Sequence, residues 1–264
     1  MEIKGSVAVV TGGGNGIGEA VVKFLVKKGA KAVVVDMSQS NIDRVLKDIK
    51  AMGGEAIGVQ ANVTSEADTA KFFKAAVEAF GKVNIVVASA GIIKDGMMLN
   101  LDKETGKVSK KMGLDKWQPV LDVNLTGTFL TVRDGAECMV NGGWQGIIVP
   151  ISSVNKCGQV GQLNYSSTKV ADELLPKIVV GEFQMRGIKN IRVVAIAPGY
   201  VATPMVAGMN QEALKAICAD VHIGRLIEPD EIAAAIAHAC ENEAIDATCL
   251  EVTGGLCYKG GIAK

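Results

Sequence analysis

The stretch Val7–Asp36, "VAVVTGGGNGIGEAVVKFLVKKGAKAVVVD", decides the fold. It runs from an apolar, β-branched segment through a glycine cluster into a helical pattern, then into a second apolar segment that ends on one carboxylate. That order is strand, tight turn, helix, strand. The turn consists of Thr11, Gly12, Gly13, Gly14, Asn15, Gly16, Ile17 and Gly18. Glycines there let backbone approach a pyrophosphate, which can also accept from the unpaired N–H groups at the helix start. A nucleoside-triphosphate loop would need Gly-Lys-Ser/Thr after the spacer, and Gly18 is followed by Glu19. Asp36 stands about twenty residues beyond the loop, where an acidic side chain can accept from the adenosine ribose hydroxyls. It also repels a 2′-phosphate, and neither Asn15 nor Met37 brings a cation, so the expected cofactor is NAD rather than NADP. The plainer alternative is an aspartate that starts a turn.

Short runs of the same kind recur at "EAIGVQ", "VNIVVAS", "GIIVPIS", "NIRVVAIAP" and "CLEV", with helix-length segments between most of them. Nearly continuous apolar runs are those of a parallel sheet covered on both faces. The expected fold class is therefore α/β, a doubly wound parallel sheet (Rossmann fold) in one domain spanning 1–264. Ser65 with Asp68 reads as a capping box before "AKFFKAAVEAF", Gly81 as the end of that helix, and Pro229 as the start of "EIAAAIAHAC". One stretch, about 98–112, "MLNLDKETGKVSKKM" in its core, shows no sustained periodicity and reads as a polar loop, either functional or a solvated excursion.

Composition narrows the partners. The chain has 264 residues, 48% hydrophobic, and its 28 Lys plus Arg balance 28 Asp plus Glu. That balance speaks against nucleic acid and anionic membrane, and for a small molecule. No segment approaches the roughly 20 apolar residues of a bilayer span, and the N-terminus carries no signal-peptide pattern, so a cytoplasmic protein is expected. Six scattered cysteines without a CxxC pair read as reduced thiols, and His238 with Cys240 has poor metal-ligand spacing, so no metal is expected.

The chemistry is concentrated in "ISSVNKCGQVGQLNYSSTK". Tyr165 and Lys169 lie one helical turn apart on a shared face, and an ammonium beside a phenol favours the phenolate. With the strand, the serines and the glycine loop, this suite resembles the classical short-chain dehydrogenase/reductase family over nearly the whole chain. The family's glycine turn stands as "TGGGNGIG", its YxxxK as "YSSTK", its PG motif as Pro198-Gly199, and its helix asparagine as Asn124 in "DVNLTG". The resemblance implies hydride transfer between nicotinamide and a secondary alcohol or ketone. It implies that Tyr165 exchanges the hydroxyl proton, Ser152 orients the substrate oxygen, Lys169 binds ribose and favours the phenolate, and Asn124 holds a relay water. The family spacing selects Ser152 and leaves Ser153 structural.

Cofactor contacts implied by the resemblance are Gly12, Gly14, Asn15, Gly16, Ile17, Gly18, Asp36, Asn62, Val63, Ala90, Gly91, Tyr165, Lys169, Pro198, Gly199, Val201 and Thr203. Two departures stand out: "ASAG" at 88–91 replaces NNAG, removing an amide brace, and Asn62 replaces an aspartate whose oxygen meets the adenine amine, a bond that the Asn62 amide oxygen is still expected to accept while Val63 offers backbone. Residues of about 203–225, with Met205, Val206, Met209, Leu214 and Ile217, form an expected lid whose apolar side chains either line the substrate or pack the lid down. Cys157 and Val160 are candidate additions to an apolar wall. Together they point to a hydrophobic alcohol or ketone. The alternative is a 3-oxoacyl thioester reductase or 3-hydroxyacyl dehydrogenase, with Lys156 or Arg186 as docking cation; Lys156 is otherwise solvated. A third reading is a non-catalytic dinucleotide sensor. A homodimer or homotetramer is implied by the family, with long helices from Leu114 and Asn164 at the interface.

Overall fold

The apolar runs come together as seven parallel strands in a computed structural model, which describes residues 1–207 and 211–256. They are β1 (Val7–Thr11), β2 (Lys31–Asp36), β3 (Ala56–Gln60), β4 (Ile85–Ala88), β7 (Gly146–Pro150), β8 (Ile191–Pro198) and β9 (Thr248–Val252). Their order is β3-β2-β1-β4-β7-β8-β9. The chain winds outward from β1 through β2 to β3, then restarts on the other side of β1 with β4, and such a reversal is where open α/β sheets bind their ligands. Successive residues of one strand serve opposite layers. Val10 and Val34 pack with Val22, Leu25 and Ile236 on one face, while Val9 and Val33 pack with Phe72, Phe73 and Met139 on the other. This explains why the runs are continuous rather than alternating.

The covering helices are α1 (Gly16–Lys27), α2 (Gln39–Ala51) and α9 (Pro229–Glu241) on the first face, and α3 (Glu66–Phe80), α5 (Gly127–Gly142) and α6 (Leu163–Met185) on the second. Their ends follow local chemistry. Ser65 accepts from Asp68 N–H at the start of α3, Gly81 ends it with φ 77°, and Pro229 opens α9 inside a Glu228/Glu231 capping box. The carboxylate of Asp68 goes instead to Asn62 N–H, so only half of the expected box forms there.

The stretch at 98–112 is not a loop. Leu99–Leu101 (β5) and Val108–Lys111 (β6) pair antiparallel as an exposed hairpin. Its turn is built by Asp102, whose Oδ1 accepts from Glu104 N–H, Thr105 N–H and the Thr105 hydroxyl, and by Gly106 with φ 65°. Strands of three and four residues with both faces wet carry too short a pattern to be read, although Asp102, Thr105 and Gly106 were a turn signal. Beyond the hairpin, α4 (Leu114–Leu121) runs through a π-turn, Asp122–Thr126, into α5. The 203–225 segment holds α7 (Pro204–Ala207) and α8 (Gln211–Asp220); Met209 and Cys257 lie outside the described residues, as does the side chain of Met205. Among the described residues, the five cysteines are unpaired thiols and no helix is long and apolar enough to cross a membrane.

Candidate active site

The glycine turn after β1 folds back on itself. Gly12 has φ 64°, and a Cβ on Gly18 would stand 2.3 Å from the Gly12 carbonyl oxygen. No side chain fits between those segments, so the first turn of α1 sits directly against the strand end. Asn15 caps α1 by accepting from Gly16 N–H at 2.8 Å, and Ile17 turns into the core beside β1. Asp36 is held at the rim: Oδ2 accepts from Gly14 N–H at 3.1 Å and Oδ1 from Ser38 N–H at 2.9 Å. Each oxygen keeps lone-pair capacity for a ribose hydroxyl. A Cβ on Gly14 would stand 2.8 Å from Oδ2 of Asp36, so this glycine is what lets the carboxylate reach the loop. Glycine backbone, a helix N-terminus and a rim carboxylate together fit the pyrophosphate and ribose of a dinucleotide.

A cation does lie near that rim. Arg44 of α2 donates to the Gly14 carbonyl at 2.8 Å, a contact hidden from local sequence because Arg44 lies a helix turn or more beyond the neighbours of the loop and of Asp36. Its guanidinium also grips both oxygens of Glu19, at 2.6 and 2.7 Å, so its charge is compensated.

Asn62 also differs from expectation. Its Oδ1 already accepts from Thr64 N–H at 3.0 Å and from the Thr64 hydroxyl at 2.9 Å, which occupies both lone pairs. The expectation that this oxygen receives the adenine amine is corrected: the side chain has only its NH2 to offer. Val63 is buried beside it. Opposite, the missing amide of "ASAG" is replaced by Thr11, whose hydroxyl contacts Val87 O and Ala90 N, both at 3.4 Å. Ala90 lies against Gly12, and Gly91 against the Asn124 amide.

Asn124 is fully buried in the π-turn and clamps Ile92, accepting from its N–H at 2.8 Å and donating to its carbonyl at 2.9 Å. Its own carbonyl accepts from the Thr128 hydroxyl at 2.7 Å. Tyr165 lies in the first turn of α6, its N–H held by Asn164 Oδ1 at 2.8 Å, while Asn164 Nδ2 ties this turn to Lys94 O and Lys116 O. The Lys169 ammonium lies 5.6 Å from the centre of the Tyr165 ring. It donates to Ile151 O at 2.7 Å and to Asp172 Oδ2 at 2.8 Å. Asp172 was not read from the sequence, although an acid three residues after a lysine on a helix was a visible pairing signal. Burial opposes the charge on both: it raises Asp172, and Lys169 is held above its ordinary value by the Asp172 carboxylate in spite of it.

The two serines exchange places. Ser152 N–H extends the pairing to Ile196 O at 2.7 Å, which sends its side chain under α6, where the hydroxyl donates to Lys169 O at 2.7 Å. The Ser152 hydroxyl, expected to face the substrate, instead has its one proton spent on a buried carbonyl. Ser153 leaves the sheet, and its oxygen accepts from Asn155 N–H at 3.1 Å with its own proton uncommitted among the described residues. Spacing to Tyr165 counts loop residues, whereas the direction of each serine side chain is set by the strand's pleat.

Pro198 ends β8 opposite Val252, Gly199 packs against Thr253 backbone, and Val201 bridges Ile227. Thr203 reaches back to within 3.4 Å of where a Cβ on Gly16 would stand. Lys156 is neither solvated nor available for docking: it is buried between Glu173 and Glu251. Arg186 caps the far end of α6, about 30 Å from Tyr165 at 1.5 Å per residue, so it does not flank the site. Cys157 and Val160 are exposed, the latter 80%.

This constellation on a doubly wound sheet fits an oxidoreductase, and the chain belongs to the short-chain dehydrogenase family, whose model matches residues 6–214. It is an oxidoreductase of a family that binds a nicotinamide dinucleotide. It is 35% identical over 256 residues, 95% of this chain and 96% of the relative, to a 3-oxoacyl-(acyl-carrier-protein) reductase of Synechocystis sp.. It is 32% identical over 266 residues, 96% of each chain, to a (3R)-3-hydroxyacyl-CoA dehydrogenase of Homo sapiens. Among solved structures it is similar to 7α-hydroxysteroid dehydrogenase complexed with NADH and 7-oxo glycochenodeoxycholic acid, with TM-score 0.86, 25% identity, and coverage of 98% of this chain and 96% of that one.

Proposed function

We propose that this protein is an NAD-dependent dehydrogenase of a hydrophobic secondary alcohol, or reductase of its ketone, working as a single-domain unit. The carrying observation is a half-buried phenol above a buried ammonium, one strand away from a glycine cradle that ends on Asp36. NAD is favoured over NADP because Arg44 is neutralised by Glu19, so Asp36 meets a 2′-phosphate uncompensated. The backbone from Gly12 to Gly18 binds pyrophosphate, Asp36 the adenosine ribose, Val63 and the Asn62 amide the adenine edge. Ala90, Gly91, Pro198, Gly199, Val201 and Thr203 line the nicotinamide end.

Bound nicotinamide supplies the hydride donor or acceptor. Tyr165 gives or takes the hydroxyl proton at its phenol oxygen, and Ser153, not Ser152, orients the substrate oxygen. Lys169 favours the phenolate and holds the nicotinamide ribose. Asn124 fixes the turn at Ile92 and presents a carbonyl to a relay water. The half-buried Val206, Leu214 and Ile217 form the apolar lid. Exposed Phe129, Leu174 and Ile178 on α5 and α6 support a homodimer or homotetramer, and the proposed location is the cytoplasm.

The test is titration with NAD and NADP followed by kcat/KM across cyclic alcohols, 3-hydroxyacyl thioesters and aldoses. NAD binding at least tenfold tighter, about 1.4 kcal/mol, with preference for cyclic alcohols is the expected result; equal affinities or a preference for aldoses refutes it. The second reading, a 3-oxoacyl thioester reductase or 3-hydroxyacyl dehydrogenase, draws on the names of the bacterial and human relatives. It predicts that thioesters win that panel.

A further inference from the structure

Lys169 and Asp172 meet inside the protein, beneath the end of β7. The Asp172 side chain is 0% exposed; Oδ2 receives the ammonium at 2.8 Å, and Oδ1 meets no donor. Buried carboxylates ordinarily gather donors for both oxygens. This one depends on a single cation. The ammonium spends two of its three protons inward, on Asp172 and on Ile151 O, and makes no hydrogen bond to the Tyr165 hydroxyl. With one proton left, it cannot serve the phenol and two ribose hydroxyls from where it stands.

Among the described residues, no neighbouring group is free to replace Lys169 at the carboxylate. From the 3-10 turn Val154–Cys157, Lys156 is held by Glu173 and Glu251. From β9, the Cys249 thiol is pushed by burial up to about 11, so it stays protonated and offers only a weak S–H. On β8, Arg192 is spent on the carbonyls of Ala239, Cys240, Asn242 and Ile245. On α4, Lys116 donates to Asp95 O, and in the π-turn Asp122 accepts from Gln118. Tyr165 and Glu173 are the other titratable groups of α6 near this point.

We propose that Asp172 is a positioning residue that parks Lys169 in the empty enzyme, and that dinucleotide binding draws the ammonium up to ribose and phenol while Asp172 takes one proton from solvent. This rests on the dinucleotide reading given above. The balance is a single proton: Lys169 is an ammonium in both positions, and Asp172 passes from carboxylate to carboxylic acid. A buried carboxylate deprived of its only partner is the costly alternative, and burial already raises Asp172. Affinity for NAD must then fall as pH rises, approaching tenfold per pH unit for one linked proton.

Calorimetric titration of the full chain with NAD near pH 7, in buffers of different ionisation enthalpy, counts that proton. Most of one proton taken up by the wild type is expected, and none by Asp172→Asn. The variant's NAD affinity should stay flat between about pH 6 and 8 while that of the wild type weakens. The wild-type count is decisive even if Asp172→Asn fails to fold. NAD binding without proton uptake overturns the inference, as does uptake that Asp172→Asn retains. Failure to bind either NAD or NADP overturns the dinucleotide reading, and this inference with it.

Discussion

A methyl group placed on Gly18 tests whether the close approach of two backbone segments is what builds the cofactor cradle. The added carbon would stand 2.3 Å from the Gly12 carbonyl oxygen and 2.8 Å from its carbon, whereas ordinary contact begins near 3.4 Å. The strand end and the first turn of α1 must therefore part by roughly 1 Å, and neither partner is a side chain that can rotate away. Overpacking of this kind costs about 1–3 kcal/mol, which lowers Tm by roughly 2–6 °C for a chain of this size. The same displacement moves the pyrophosphate donors, and an error of about 1 Å in positioning can cost on the order of 100-fold in turnover. Gly181→Ala is the control: it lies in α6 with open space around it and no left-handed φ, so it should gain about 0.5–1 kcal/mol. Scanning calorimetry and NAD titration of both variants check this. Gly18→Ala with the wild-type Tm and NAD affinity would refute the reasoning.

Tyr165→Phe should nearly abolish turnover and leave NAD affinity within about twofold, since only the proton-transfer group is lost; steady-state rates with substantial residual activity would remove Tyr165 from its role. Ser153→Ala should lower kcat by about 100-fold or more at unchanged Tm, whereas Ser152→Ala should chiefly lower Tm by freeing the Lys169 carbonyl; the opposite pattern would restore Ser152. Lys156→Ala leaves Glu173 and Glu251 facing each other without their cation and should destabilise by about 1–3 kcal/mol by calorimetry, for every substrate alike rather than for thioesters alone. Glu231 is lowered to about 2 from an ordinary 4.5 by the Arg225 guanidinium and then by the Glu228 N–H. A depressed carboxylate stabilises above its ordinary value and loses that contribution as pH falls through the folded one. Hydrogen exchange in the first turn of α9 should thus accelerate between 4.5 and about 2, and Glu231→Gln should remove that pH dependence.

The strands were legible because continuous Val and Ile runs have one stable use, a sheet covered on both sides, and the two layers around Val9 and Val10 bear this out. The glycine turn was legible because close backbone approach requires residues without a Cβ. The hairpin at 99–111 was not, since wet strands of three and four residues leave no periodic trace. The partners of Asn62 and the reach of Arg44 were also hidden, because a side chain's available lone pairs and its distance from a loop depend on neighbours brought by other elements.

What the sequence by itself determined is the architecture and the inventory of groups: the doubly wound parallel sheet, Asp36 beyond the glycine turn, and Tyr165 with Lys169 one helical turn apart. These follow from periodicity, glycine chemistry and helix spacing, which are local properties. Only the tertiary structure decided which groups are free to act. Ser152 is spent on a carbonyl beneath α6, Lys156 is enclosed by two acids, and Lys169 is drawn inward by Asp172. A hydrogen-bonding group has few protons and lone pairs, and the packing of separate elements determines where they go.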